Sequence, residues 1–309
     1  MMDTNVKLSL VIPVYNEAAV LPALIEKIKG ILDTTGDSYE ILFVDDGSED
    51  LTWEILTNIS STSEHIRAIR FTRNFGKEAA IQAGLQIANG KAAIIMDADL
   101  QHPPDLLVQM ILLWEKEGYD VVEGIKTSRQ REPFVNRFGS TFFYSIMRTI
   151  TGFDIKRDTD YKLLDRKVVD LYLSLREKGR FFRALIPYLG FKTAKVPFNP
   201  GIRDEGQAKF SFLKRCNLAL AAITSFSSLP LHMVTLLGII TLGFSLVLGA
   251  QTVYNKLSGK AVEGFATVIL IILMIGSILM IALGIIGEYI ARLFNESKKR
   301  PHYFIQDRC

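Results

Sequence analysis

The chain has 309 residues, 49% hydrophobic and 22% charged, which is enough for one large domain plus an appendage and excludes a disordered or fibrous protein. A formal net charge of +3 excludes a surface that is one continuous nucleic-acid footprint, so no nucleic-acid partner is expected. Cys216 and Cys309 make no disulfide framework, and His65, His102, His232 and His302 never meet at ligand spacing, which argues against a zinc site.

The first apolar run, Leu8 to Val14 (LSLVIPV), is too short for a signal-peptide core and is followed at once by Tyr15, Asn16 and Glu17. It reads as a buried strand, as do Glu40 to Val44, Ile66 to Phe71 and Ala92 to Met96. The spacing predicts helices over Val20 to Ile31, Leu51 to Ile59 and Glu78 to Ala88, with another from Asp105 to Trp114. This alternation predicts an α/β fold with a doubly wound, mostly parallel sheet, whose ligands lie outside the carboxyl ends of the strands. Polar residues stand at those ends: Tyr15 and Glu17 after the first strand, Asp45 and Asp46 after the second, and Asp97, Asp99 and Gln101 after the fourth. No GxGxxG, GxxxxGK[ST], GxSxG or HExxH is present, so dinucleotide, P-loop and hydrolase readings lose their usual support.

Asp97 and Asp99 flank a single alanine, and carboxylates so close repel unless a cation lies between them. Such oxygen ligands suit Mg²⁺ or Mn²⁺ shared with substrate phosphates, and Gln101 adds a neutral oxygen donor. The same acids also suit a solvated loop. Asp45 and Asp46 likewise have a plainer use, because Asp-Asp-Gly-Ser makes a turn followed by a helix cap at Ser48 or Asp50.

Beyond the α/β region, Phe212, Cys216, Ala219, Ile223 and Phe226 recur at helical spacing, with Lys214, Asn217, Ser225 and Ser228 on the other side. That pattern fits an amphipathic helix lying in a membrane surface, or a helix capping the preceding domain. Met233 to Val253 and Phe265 to Gly287 then carry no Asp, Glu, Lys or Arg; at about 1.5 Å per residue each can cross a hydrocarbon core of about 30 Å. The expected organisation is a catalytic domain over 1–208, a juxtamembrane region over 209–231, two transmembrane helices over 232–290 with an external loop at about 254–264, and a basic tail over 291–309. Lys209, Lys214, Arg215, Arg292, Lys298, Lys299 and Arg300 outnumber Lys256 and Lys260 of the loop, which predicts an inner-membrane protein with the large domain and both termini cytoplasmic. Gly276, Gly284 and Gly287 allow close helix contact and hence a homo-oligomer.

Six segments in order carry a resemblance: Val11 to Glu17 (VIPVYNE), Val44 to Ser48 (VDDGS), Arg73 to Ala80 (RNFGKEAA), Met96 to Pro104 (MDADLQHPP), Asp160 to Arg166 (DYKLLDR) and Arg203 to Phe210 (RDEGQAKF). With the two spans that follow, the chain resembles the polyprenyl-phosphate glycosyltransferases, inverting family 2 enzymes of the GT-A fold. The two-span tail is closer to the bactoprenol glucosyltransferases than to single-domain dolichyl-phosphate mannose synthases. The resemblance implies that Pro13, Tyr15, Glu17, Asp45 and Asp46 shape the nucleotide-sugar pocket together with Asp97, and that Asp97, Asp99 and Gln101 bind the divalent ion. It places Asp160 near the acceptor, Arg203 and Lys209 on the donor diphosphate, and Lys126, Arg137 and Lys162 toward the acceptor phosphate. Two departures weaken those contacts: Gln207 and Ala208 stand where the family has Glu and Ser, and Thr159 where it has Gly.

The implied reaction is transfer of a hexose from a nucleotide sugar to a membrane polyprenyl phosphate. The resemblance favours UDP-glucose and undecaprenyl phosphate, with mannosyl and aminoarabinose transfer as alternatives. A phosphate monoester has its second pKa at about 6, so the attacking oxygen is already ionised at neutral pH and needs no strong base. Asp160 is then expected to position the acceptor or stabilise developing positive charge, and Arg203 to stabilise the leaving diphosphate. Two further readings remain: a polysaccharide synthase, disfavoured because only two spans and no Q-x-x-R-W are present, and a flippase subunit, disfavoured because the spans are uncharged.

Overall fold

The computed structural model describes residues 6–99, 102–127, 158–175, 181–199, 229–259, 264–298 and 300–309. Gln101, Arg137, Arg203, Lys209 and the amphipathic stretch 210–228 lie outside the described residues.

The first unit, Met1–Ser211 with Arg300–Cys309, is built on alternating strands and helices. In chain order they are β1 (Leu8–Val14), α1 (Leu21–Thr35), β2 (Tyr39–Asp45), α2 (Thr52–Thr62), β3 (Ile66–Phe71), α3 (Lys77–Ile87), β4 (Ala92–Ile95), α4 (Leu106–Glu117), β5 (Val121–Lys126), β6 (Asp158–Asp165), α5 (Arg166–Ser174), α6 (Phe182–Tyr188) and β7 (Thr193–Phe198). After the second unit comes β8 (Ile305–Arg308). The described strands form one sheet in the order β7-β5-β6-β4-β1-β2-β3-β8, parallel through its centre, with antiparallel pairings at β4–β6, β5–β6 and β3–β8.

The central strands are apolar runs because helices cover both faces. All seven residues of β2 are buried, and in β1 only Pro13 is not fully buried. Helix α1 turns Leu21, Leu24, Ile25, Ile28 and Leu32 to the core at three- and four-residue spacing, each worth about 1.5–3 kcal/mol once buried. Helix α3 lies so close to the sheet that a Cβ at Gly84 would stand 2.2 Å from Val11 Cγ1, so this position takes no side chain.

The strand β8 falls in the segment expected to be a basic tail. It is held by backbone pairing with β3 and by Tyr303, whose ring stacks on Phe71 at 4.7 Å, so aromatic burial next to the strand does what its polar IQDR sequence does not.

The second unit, Phe212–Lys299, contains α7 (Leu229–Leu257) and α8 (Phe265–Ser297). The windows Met233–Asn255 and Met274–Ala291 have mean hydropathies of 2.2 and 2.0, and none of either is buried. Core helices of that length would be largely covered; these are long and apolar enough to cross a membrane.

Candidate active site

The site begins where two parallel strands part. The pairing of β1 with β4 ends at Val11 and Ile95, whereas its pairing with β2 runs on to Val14 and Asp45. Pro13, which has no N–H, faces the side on which β4 has ended, so no ladder bond is lost there. Parallel order reverses at this point, and the crevice that opens is the switch point of a doubly wound sheet. The cleft, about 350 Å³, is lined by Pro13, Tyr15 and Glu17 after β1, Asp46 after β2, Asn74, Gly76 and Lys77 before α3, and Asp97 and Asp99 after β4.

The turn after β2 is fixed from within. Asp45 is fully buried and accepts hydrogen bonds from the Ser48 amide at 2.9 Å and the Ser48 hydroxyl at 2.5 Å, with Arg70 Nε 3.5 Å from its other oxygen. Asp46 accepts from the amides of Phe75 at 2.7 Å and Gly76 at 2.9 Å, clamping the turn that carries Lys77. Burial pushes both carboxyls above their ordinary range, and these hydrogen bonds oppose the rise. Directly after Asp46, Gly47 has φ +75°, and a Cβ would meet the Arg73 carbonyl carbon at 2.6 Å, so only glycine fits. Asp45 therefore stands behind the cleft wall, and Asp46 lines the cleft while holding the neighbouring turn.

The acids after β4 and on β6 are satisfied differently. Lys77 Nζ lies 2.5 Å from Asp97 Oδ1 and 2.5 Å from Asp160 Oδ2. Arg183, on α6, grips Asp160 with a two-point contact, Nε to Oδ1 and Nη2 to Oδ2, both at 2.7 Å. Burial would raise the Asp160 carboxyl, but the bonds and charges of Arg183 and Lys77 outweigh it and hold the group well below the usual carboxylate range. Burial would lower the Lys77 ammonium, and Asp97 and Asp160 reverse that into a net rise. Glu78, next in chain, accepts from the Phe182 amide at 3.0 Å and so ties α3 to the start of α6; burial and the charge of Asp160 push it up to about 7. His102 Nδ1 accepts from the Asp97 amide at 3.1 Å, and the ring is stacked on Tyr161; burial lowers its pKa, with Asp97 and Asp99 opposing. Lys126, at the end of β5, is shifted down by its own burial and by repulsion from Arg183 and Lys77, with Asp99 opposing.

Of the site residues expected from the sequence, Pro13, Tyr15, Glu17, Asp46, Asp97 and Asp99 meet in one cleft, with Asp160 reached through Lys77 and Lys126 within electrostatic range. Lys162 is a correction. It was expected at the acceptor phosphate, but it is fully buried and ion-paired with Glu123, its cross-strand neighbour on β5, so it cannot present its charge to the cleft. Gln101, Arg137, Arg203 and Lys209 lie outside the described residues. Lys77, Glu78 and Arg183 were missed. Lys77 follows a strand, and the strand-end rule applied to β3 would have found it; Arg183 reaches the site from a separate helix and has no local signal.

Asp97 and Asp99 are hard oxygen donors, and the ammonium drawn to Asp97 shows that this end of the cleft calls for positive charge. The pair thus fits a divalent ion that shares substrate phosphates. Among the described residues no group of three His, Cys, Asp or Glu side chains forms a complete cage.

Residues 9–170 match the family described as glycosyl transferase family 2, more than half of the chain. The chain belongs to that family. This glycosyltransferase is 39% identical over 310 residues to an uncharacterized glycosyltransferase of Bacillus subtilis (strain 168), covering 99% of the chain and 95% of the relative. It is 34% identical to the bactoprenol glucosyl transferase of Shigella phage SfV, covering 97% and 98%, and 34% identical to a prophage bactoprenol glucosyl transferase homolog of Escherichia coli (strain K12), also covering 97% and 98%. The fold is that of mannosyl-3-phosphoglycerate synthase from Rubrobacter xylanophilus, with a TM-score of 0.52 at 19% identity over 70% of this chain and 73% of that one. The GT-A type sheet and the family expected from the six motifs are both found.

Proposed function

We propose that this glycosyltransferase moves glucose from UDP-glucose to a membrane polyprenyl phosphate, undecaprenyl phosphate in the reading we favour, with inversion at the anomeric carbon. The observation that carries this is the state of Asp160. A carboxylate gripped by Arg183 and Lys77 and held below its usual range is a poor base for a sugar or glycerol hydroxyl. A phosphate acceptor asks for none, since its second pKa is about 6.

Asp160 then acts as an anchor. It holds Arg183 at two points and pairs with Lys77, and Arg183 with Lys126 supplies the positive charge that draws an anionic acceptor into line behind the anomeric carbon. Arg137 is proposed to add to the acceptor side. Pro13, Tyr15, Glu17 and Asp46 border the nucleotide and Asp45 braces its wall, with Arg203 and Lys209 proposed on the donor diphosphate. Asp97 and Asp99, with Gln101, would hold Mg²⁺ or Mn²⁺, which when bound would neutralise charge on the departing diphosphate.

The acceptor cannot leave the bilayer, and α7 and α8 supply membrane-length anchors. The strand β8 follows α8 and pairs with β3, so the chain returns to the unit it left, as two crossings require. With the excess of Lys and Arg on that side, this supports a cytoplasmic catalytic unit in the inner membrane. The names of the relatives in Shigella phage SfV and Escherichia coli agree with a bactoprenol acceptor.

The test is a panel of nucleotide sugars incubated with membranes, undecaprenyl phosphate and Mn²⁺. The expected product is a lipid of undecaprenyl phosphate plus one hexose by mass, with UDP-glucose the preferred donor. Sugar appearing on a free hydroxyl acceptor and not on the lipid would refute the assignment.

A further inference from the structure

Asp97 and Asp160 share Lys77 but do not depend on it equally. Asp160 keeps a two-point contact with Arg183 whether or not Lys77 stays. The other partners of Asp97 are weaker: its amide donates to His102 Nδ1, and His102 Nε2 is 4.0 Å from its Oδ2. Since Nδ1 accepts that hydrogen bond, the ring is the neutral tautomer and gives Asp97 no full counter-charge. Among the described residues, Lys77 is the counter-ion of Asp97.

That ammonium sits on one of the two oxygens that Asp97 can offer a metal ion. A divalent ion and an ammonium on the same carboxylate repel at close range, so the ammonium weakens metal binding while it stays. Lys77 lies at the start of α3, on the turn whose Asn74 and Gly76 also line the cleft, and its stem has four rotatable carbons. A diphosphate entering the cleft offers the ammonium a new anionic partner within the same space.

Resting on the function proposed above, we propose that Lys77 is an exchangeable counter-ion that couples donor binding to metal binding. It occupies Asp97 until a nucleoside diphosphate arrives. The ammonium then turns to the phosphates while keeping Asp160 in reach, and Asp97 is released to the ion. Without nucleotide the ion competes with Lys77; with nucleotide it does not. Metal and donor therefore bind cooperatively, beyond the cooperativity that direct ligation of the ion by phosphate provides, and by linkage the coupling is reciprocal.

The experiment is a titration of the full-length, detergent-solubilised protein with Mn²⁺, read by electron paramagnetic resonance, with and without UDP. K77Q should bind Mn²⁺ about tenfold more tightly than the wild type when UDP is absent, and the tightening caused by UDP should shrink by a similar factor. K77M, which keeps the volume of the stem, provides the same reading if K77Q does not fold, and K77R, which keeps the charge, should stay near the wild type. The proposal is overturned if K77Q or K77M binds Mn²⁺ without UDP no more tightly than the wild type while the wild type still binds Mn²⁺ with UDP; the function proposed above would survive that result. A wild type that binds no Mn²⁺ even with UDP would overturn the metal reading and this coupling together.

Discussion

The turns after β2 and β4 flank β1 on its two sides, each carries two aspartates, and they settle their negative charge in opposite ways. Asp45 and Asp46 are buried and satisfied mainly by amides and a hydroxyl that cannot leave: Ser48, Phe75 and Gly76. Asp97 faces the cleft and is satisfied by a flexible side chain, the Lys77 ammonium. A carboxylate bonded to backbone is part of the frame, whereas one neutralised by a mobile cation is ready to exchange that cation for a ligand. Position at a strand end does not separate the two uses; the kind of partner does.

The two turns should differ most in their response to Asp97→Asn. If the β4 turn is the exchanging one, transfer should fall roughly 100-fold or more, the scale of losing a preorganised electrostatic group, and excess chelator should silence the wild type until Mn²⁺ is restored. Measured lipid glycosylation that persists in chelator would place the two turns in one class. The β2 turn should respond through stability. Asp46→Ala strands the Phe75 and Gly76 amides and should cost about 1–3 kcal/mol in unfolding experiments, with Asp46→Asn recovering part because its amide oxygen still accepts. An unchanged unfolding midpoint for Asp46→Ala would remove its framing role. The smallest effect is a change of slope. With its pKa raised from an ordinary 4.5 to about 7, Glu78 favours folding when protonated, so its contribution is present below about 4.5 and is lost as pH climbs toward 7. Glu78→Gln should flatten the decline of stability with pH in that window, and a profile parallel to the wild type would mean that Glu78 is ionised in the fold.

Much of this was legible in the sequence, for physical reasons that also mark where it stopped. β1 to β4 are apolar runs buried on both faces and separated by helices with a 3.6-residue stripe, so composition and period locate them. β8 is four residues of IQDR and exists because Tyr303 and Ile305 pack against the hydrophobic cluster around Phe71, a partner more than two hundred residues away. Pro13, Asp46, Asp97 and Asp99 could be read because strand ends are where ligands bind in such sheets. The misassignment of Lys162 shows the complement. It lies two residues beyond Asp160 on the same face of β6, and only the register that sets it opposite Glu123 reveals that its charge is already used. Arg183 depends on α6 being carried to β6, which no local pattern announces.

If Asp160 anchors cations and takes no proton, the residual activity of Asp160→Asn should show it in its pH dependence. The variant should have a reduced kcat and a profile that keeps the shape of the wild type, rising with ionisation of the acceptor phosphate at about pH 6 and level above it. A residual rate that climbs steadily with hydroxide above about pH 8 would show that Asp160 is a base and not an anchor.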